Sequence, residues 1–446
     1  MRGGGNADVR GLKSTIALLV ILIGLVAYIF FVERKKPAAD APAVKSKAFA
    51  VDADQIEEIQ IKPAAGEASR VQKINGTWQL VEPEKTQADQ GQVTNAASSL
   101  AALDINRVVD DNPSDLAQYG LNPPKADIAF KVKGKSGLQH LLLGEKTPTS
   151  GDMYAKTPDQ KRVFMIAAYL ENTFERTPFD LRDKAVLKFD QSKADGIEVV
   201  HDGMTTTLAK SGSDWTITKP SKMRADFAGA EAILTGLSSA QMQKIVSNEA
   251  KDLGKYGLDK PQETVTVLSG STRASFAIGS KEGESNYARD LSRPIIFTIP
   301  ATTATDLEKD YAALRSKDMF TGRSFNTARV ELKRGSETLA FEKSKDKDGK
   351  DVWKNGAGKV MDTAKVEDML TKLSNIRAQL FQDRVDPVLK MPTLVATLKL
   401  DNNTTETVTF ARNGNAVLAN RADEPGSATV EVMAFNDTMT AIDALK

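Results

Sequence analysis

Three tryptophans, Trp78, Trp215 and Trp353, fall 137 and 138 residues apart in a chain of 446, and the sequence around them recurs at the same spacing. Each follows turn residues and closes a run of strand-like segments: NGTWQLVEP, SDWTITKP and KDVWKNGAG. An aspartate comes 11, 11 and 9 residues later, at Asp89, Asp226 and Asp362, placed to cap a helix through its side-chain oxygen. Beyond the caps, equal offsets give Val93, Ala96, Ala97, Leu100 and Leu103, then Ala230, Ile233, Leu234, Leu237 and Ala240, then Val366, Met369, Leu370, Leu373 and Ile376. Each set is one apolar helical face. A period of this length makes the repeating unit a domain, so the chain divides among three cores.

Past each helix come a short apolar segment and a loop, DLAQYGLNPP from Asp115 and DLGKYGLDKP from Asp252, again 137 apart. The third copy reads DPVLKMP there, with Pro387 in place of the tyrosine, and has diverged most. Strand-like segments follow in every copy, among them KADIAFKVK, ETVTVLSG and TLVATLKL. A short polar helix closes the first two units, over residues 167–176 and 304–313. Links then read FDLRDKAVLKF and AALRSKDMFTGRSF, with Leu181-Arg182 matching Leu314-Arg315. Hairpin turns are signalled at Asn75-Gly76, Asp202-Gly203 and Asn413-Gly414. The predicted fold is α+β: an N-terminal transmembrane helix, then three tandem modules of antiparallel β-meanders with a capped amphipathic helix and a short closing helix. Boundaries are set at 1–13 for a tail, 14–32 for the anchor, 33–48 for a tether, and 49–188, 189–324 and 325–446 for modules 1, 2 and 3.

Ser14 to Val32 is a run of 19 residues without a charge. As a helix it spans about 28 Å, close to the thickness of a bilayer's hydrocarbon core. It is longer than the apolar core of a secretory signal, and Glu33-Arg34-Lys35-Lys36 makes a poor cleavage region, so an uncleaved anchor is expected. Arg2, Arg10 and Lys13 before it balance Arg34, Lys35 and Lys36 after it, so flanking charge leaves orientation undecided. A start-proximal anchor commonly sends the long remainder across the membrane, giving a single-pass protein of the bacterial inner membrane with an extracytoplasmic body. Sixty basic against 59 acidic residues produce no global field for nucleic acid, and nucleic-acid binding is not expected. The absence of cysteine removes disulfides, thiol nucleophiles and thiolate metal sites.

The anchor, the DLxxYGLxxP loops, the segment LLLGEKTPTSGDMYAK and the FDLRDK link together resemble the bacterial family known as domain of unknown function 4340. The resemblance is good over residues 49–325 and weak beyond. It implies a single-pass envelope protein, some of whose relatives accompany ABC-type transport systems of the gliding-motility kind. It supplies no catalytic residues.

Chemistry-bearing motifs are scarce. The two histidines, His140 and His201, stand 61 positions apart in different modules, and each reads as a structural strand or turn residue. LLLGEKTPTSG lacks the GxxxxGK[ST] spacing of a phosphate loop and a following helix. No catalytic, cofactor or metal site is therefore assigned, and no cofactor is expected. The residues singled out for interaction or inter-module contact are Tyr119 and Tyr256, expected beneath their module's helix, and Arg182 and Arg315, expected to brace neighbouring modules. The expectation is a non-enzymatic, membrane-anchored envelope protein presenting a repeated interaction surface, with an ABC-type permease or another envelope protein as partner. The alternatives are a carboxylate-dependent enzyme on envelope glycans, whose paired acids leave no spacing signature, or a glycan- or peptide-binding module.

Overall fold

A computed structural model describes residues 46–149 and 151–446. The 14–32 anchor lies outside the described residues, as does the tether up to residue 45. Among the described residues no helix is long and apolar enough to cross a membrane. The chain forms two compact units, one ending at Asp183 and one spanning Lys184–Lys446.

The first unit holds a nine-stranded antiparallel sheet. Ile56–Pro63, Ser69–Ile74, Thr77–Glu82 and Thr86–Gln87 form a meander running to one edge. The helix Gln90–Ala101 then carries the chain to the far edge, where Arg107–Asp110 lies. Ala126–Val132 returns to pair with Ile56–Pro63, and a second meander through Gln139–Lys146 and Asp152–Lys156 ends on Val163–Ala167, beside that far strand. The second unit repeats this order twice. One sheet has nine strands, with Gly196–His201 against Glu263–Ser269 at its centre. The other has eight, with Thr327–Arg334 against Leu394–Leu400.

Every tryptophan occupies the same place, on the third strand of the first meander, opposite a lysine: Lys73 and Trp78, Lys210 and Trp215, Lys343 and Trp353. The lysine ammonium lies 5.2–5.4 Å from the ring centroid in all three, a cation–π contact that covers the outward side of a core ring. The caps hold as read: Asp89 accepts from the Gln92 N–H, Asp226 from Gly229, and Asp362 from Ala364 and Lys365. Behind them Leu100, Leu237 and Leu373 are each fully buried, with the rest of each apolar face. The helix therefore packs its stripe on one face of the sheet, as the periodicity requires.

Two local expectations are revised. The closing helix of the first two modules is a pair of short helices, Glu171–Phe174 with Pro178–Leu181 and Ala301–Leu307 with Tyr311–Leu314. In the third module it is one 12-residue helix, Val432–Asp443, packed along the central helix through Phe435, Ala441 and Ile442. The hairpins at Asn75-Gly76 and Asp202-Gly203 turn on left-handed residues as expected, whereas Asn413 stays in its strand and the third hairpin turns at Gly414.

Candidate functional site

The two YGL loops share one construction. A 3-10 turn, Ala117–Tyr119 or Leu253–Tyr256, ends on a left-handed glycine, Gly120 or Gly257. The loop backbone then lies directly on a strand: a Cβ at Gly144 would stand 2.2 Å from the Tyr119 carbonyl oxygen, and one at Gly279 2.2 Å from that of Tyr256. Backbone-to-backbone approach this close tolerates only glycine. The rings meet a second tyrosine edge-on, Tyr119 with Tyr154 at 5.1 Å and Tyr256 with Tyr287 at 5.0 Å. Tyr119 is half-buried and its hydroxyl donates to Asp110 at 3.3 Å; burial, then the Asp110 charge, holds its pKa up. Hydrogen bonding to Glu282, ahead of burial, pushes Tyr287 up to about 12.

Tyr256 packs with Leu258, Ala277 and Ile296 in a small cluster. Ala277 alternates with Phe276 and Ile278, so this cluster lies on the sheet face opposite theirs. In the other modules the strand residues matching Ile278, Leu143 and Phe410, share a core with the central helix. The tyrosine loops thus cover the outer face, and the expected position beneath the helix is corrected. In the third module Leu389 makes the equivalent cluster with Ala411 and Leu418. Ala411, which follows Phe410, stands where Gly144 follows Leu143 and Gly279 follows Ile278.

Arg182 and Arg315 are 3% and 4% exposed, and both lie on the strand edge before the helix cap: Arg182 bridges Ala88 and Arg315 bridges Ala225. Arg182 donates to Glu84 at 2.5 Å within the first unit. Arg315 lies 3.8 Å from the ring centroid of Phe381, a third-module residue. Burial holds its pKa down. Beside it Arg224 donates to Glu424 at 2.7 Å and to the Asp318 carbonyl, again joining the second module to the third.

A second arginine, absent from the sequence reading, holds each link from the other side. Arg293 Nη2 donates to the Val186 carbonyl, and Arg421 Nη1 donates to that of Met319, the matching link residue. Buried Glu406 completes the second joint. It accepts from the Thr321 hydroxyl at 2.6 Å, from the Thr321 and Gly322 N–H groups and from Arg421. Burial alone would raise its pKa, but the Thr321 hydroxyl, the Gly322 N–H and the Arg421 charge outweigh that and hold it low.

The histidines sit in separate modules. His140 meets Asp127 across two strands at 2.9 Å, both side chains about a third exposed. His201 Nδ1 lies 2.9 Å from Glu263 Oε2, and Glu263 is fully buried with its other oxygen unpartnered. Burial pushes Glu263 up to about 7, with the His201 contact pulling back. Burial pushes His201 down, but the Glu263 hydrogen bond and charge outweigh it and raise it overall. Among the described residues no cluster of three or more histidine or acidic groups could hold a metal. Clefts of about 330 and 410 Å³ open at matching places in the first two modules, where the central helix ends near Ser98 and Asn106 or Ser239 and Gln243.

The sequence matches a family described as Domain of unknown function (DUF4340) over residues 78–216 and again over 215–403, each match starting at a repeat tryptophan. This chain belongs to the DUF4340 family. The second DUF4340 match runs into the third module, beyond the stretch where the resemblance is plain by eye. No curated protein matches the chain. Among solved structures, a DNA polymerase sliding clamp from Pseudomonas aeruginosa aligns over 85% of this chain and 91% of its own, at 10% identity and a TM-score of 0.16. The DNA polymerase III subunit beta sliding clamp from Bartonella birtlesii aligns over 87% and 93%, at 8% identity and a TM-score of 0.13. Scores this low carry no argument for the DUF4340 chain.

Proposed function

We propose that the protein is a non-enzymatic scaffold anchored in the bacterial inner membrane by residues 14–32, with its modules outside the cytoplasm as an interaction surface for an ABC-type transport system. The observation that carries this reading is the joint between the second and third modules. Buried Arg315 and half-buried Arg224 and Glu424 reach from one module to the next, and buried Arg421 and Glu406 hold the link between them. Buried ion pairs placed at joints serve geometry, and a fixed serial geometry suits a scaffold. The uncharged stretch supports the anchor, and the family resemblance supports the transporter partner.

The test is purification of tagged full-length protein from detergent-solubilised membranes, probing for an ABC permease and ATPase. Retention of both supports the reading. Recovery of the full chain in the soluble fraction, or elution without either subunit, rejects it. Turnover of an envelope glycan that one Asp or Glu substitution abolishes would favour the enzyme. The paired clefts of the first two modules favour a second reading, binding of a glycan or peptide at equivalent sites. Saturable binding of such a ligand, lost on closing the cleft with Ser98→Trp, would support it.

A further inference from the structure

The strands Asp152–Lys156, Ser285–Asp290 and Ala416–Arg421 each run into the same turn. The Gln160 N–H donates to the Thr157 carbonyl at 3.2 Å, Arg293 to Asp290 at 3.1 Å and Glu424 to Arg421 at 3.3 Å. In the second module the two ends of this turn form an ion pair, Arg293 with Asp290 at 2.9 Å. In the third the order of charge is reversed, with Arg421 and Glu424 3.8 Å apart. Either way a guanidinium donates to the link: Arg293 to the Ala185 and Val186 carbonyls, Arg421 to that of Met319. In the first module both positions are neutral, Thr157 and Gln160.

The carbonyl that the arginine holds elsewhere has its counterpart in the first module. The Ala48 N–H donates to the Leu103 carbonyl at 2.8 Å, as Val186 donates to Ala240 and Met319 to Ile376, both at 3.2 Å. Among the described residues no group donates to the Ala48 carbonyl. Thr157 is 3% exposed, and its hydroxyl has no hydrogen-bond partner among the described residues. A buried hydroxyl left unmade is costly, so two idle acceptors at one place need a reason. A cleft of about 420 Å³ opens on both Ala48 and Thr157, with Phe49, His140 and Asp159 also in its walls. That volume falls in the range of small-ligand sites.

We propose that this cleft binds the side chain of an arginine supplied by a partner polypeptide, the group that the second and third modules supply from their own turns. Its acceptors are the Ala48 carbonyl, the Thr157 hydroxyl, the Asp159 carboxylate and His140. His140 Nδ1 lies 2.9 Å from Asp127, and a carboxylate only accepts, so Nδ1 carries the hydrogen and Nε2 of the neutral ring is an acceptor. Phe49 adds an aromatic surface for a planar cation. No lysine or arginine lines the cleft, so a cation enters without repulsion, whereas a free amino acid finds nothing to meet its carboxylate. Acceptors set around the site in several directions suit the guanidinium fork better than the point charge of an ammonium. This goes beyond the transporter reading and does not depend on it.

The probe is Nα-acetylarginine amide, titrated into full-length protein in detergent and followed by ligand-observed nuclear magnetic resonance. Saturable binding with a Kd on the order of 1 mM is expected, roughly tenfold tighter than that of the neutral citrulline analogue. Nα-acetyllysine amide should bind more weakly, and free arginine no more tightly than the blocked probe. Thr157→Val keeps the shape of the side chain but removes one acceptor. It should weaken binding roughly threefold without lowering the unfolding midpoint of the first unit. Thr157→Asp together with Gln160→Arg installs the ion pair of the second module. Its own guanidinium should then fill the cleft, abolish probe binding and leave the first unit at least as stable. Equal binding of the arginine probe and its citrulline or lysine analogue overturns the proposal, as does tighter binding of free arginine. So does a folded double variant that binds like the wild type. If the double variant does not fold, Thr157→Val decides, and an unchanged affinity there overturns the proposal as well.

Discussion

Glu263 opens the strand Glu263–Ser269 at a position where the other modules begin with Ala126 and Leu394, all three fully buried. A carboxyl in an apolar slot favours its neutral form, and here the pKa moves from 4.5 to about 7. A folded-state pKa above the unfolded value means that the fold holds the proton more tightly. The stability this contributes is complete below pH 4.5 and is lost as pH rises through 7. At 1.36 kcal/mol per unit the loss is about 3 kcal/mol at most, with His201 and Glu263 titrating as one pair. His201, also raised, contributes with the same sign. Thermal and urea unfolding of the full-length protein between about pH 5 and pH 8 should show the second unit losing stability toward alkaline pH. Glu263→Gln, which cannot ionise, should remove most of that slope, and Glu263→Leu should do the same while matching Leu394 of the third module. The difference between wild type and variant isolates this pair from all other titrating groups. A difference that stays flat across this range would refute the reasoning, because a carboxyl already ionised and well paired would produce no such slope.

Leu237→Ala should cost roughly 2–5 kcal/mol through lost burial and a cavity, read as a lower urea midpoint for the second unit; a midpoint shift within error would contradict its full burial. Gly279→Ala should displace the Tyr256 loop and expose Tyr287, seen as a fall in that tyrosine's pKa from about 12 in an ultraviolet titration; an unchanged titration would count against the close approach. Glu406→Ala, which leaves the Thr321 and Gly322 donors without their acceptor while Arg421 keeps Asp423 and the Met319 carbonyl, should destabilise by roughly 1–3 kcal/mol and raise protease cleavage near Thr321. Unaltered cleavage would mean that the joint does not depend on Glu406.

The helices were legible because three signals coincide in each copy: an aspartate able to cap, an apolar stripe at helical spacing, and a tryptophan 9 or 11 residues before the cap. Sheet order was not legible. The helix carries the chain from one edge of the sheet to the other, and nothing local to Arg107–Asp110 or Lys244–Ser247 says which strand each will meet. The YGL loops were visible as motifs, but their face was misread, because a tyrosine next to glycine looks the same on either side of a sheet. Gly144 and Gly279 hold the missing information, since a glycine inside an otherwise regular strand marks close backbone approach. Their replacement by Ala411 in the copy that also lacks the YG pair agrees with two sides of one contact diverging together.

The arginines of the links show a different limit. Arg182 and Arg315 occupy matching places and bridge matching residues, yet one meets a carboxylate and the other an aromatic ring. Equivalence in the repeat fixes where the side chain stands and leaves its partner to whatever the neighbouring segment supplies. Glu84 has no acidic counterpart at Ser221, five residues before the Asp226 cap as Glu84 is before Asp89. With no acid there, the Arg315 guanidinium is held by stacking on Phe381, for which the planar cation is suited and a lysine would not be. A repeat therefore transmits backbone contacts, such as the paired N–H and carbonyl groups of each link, more faithfully than it transmits side-chain chemistry.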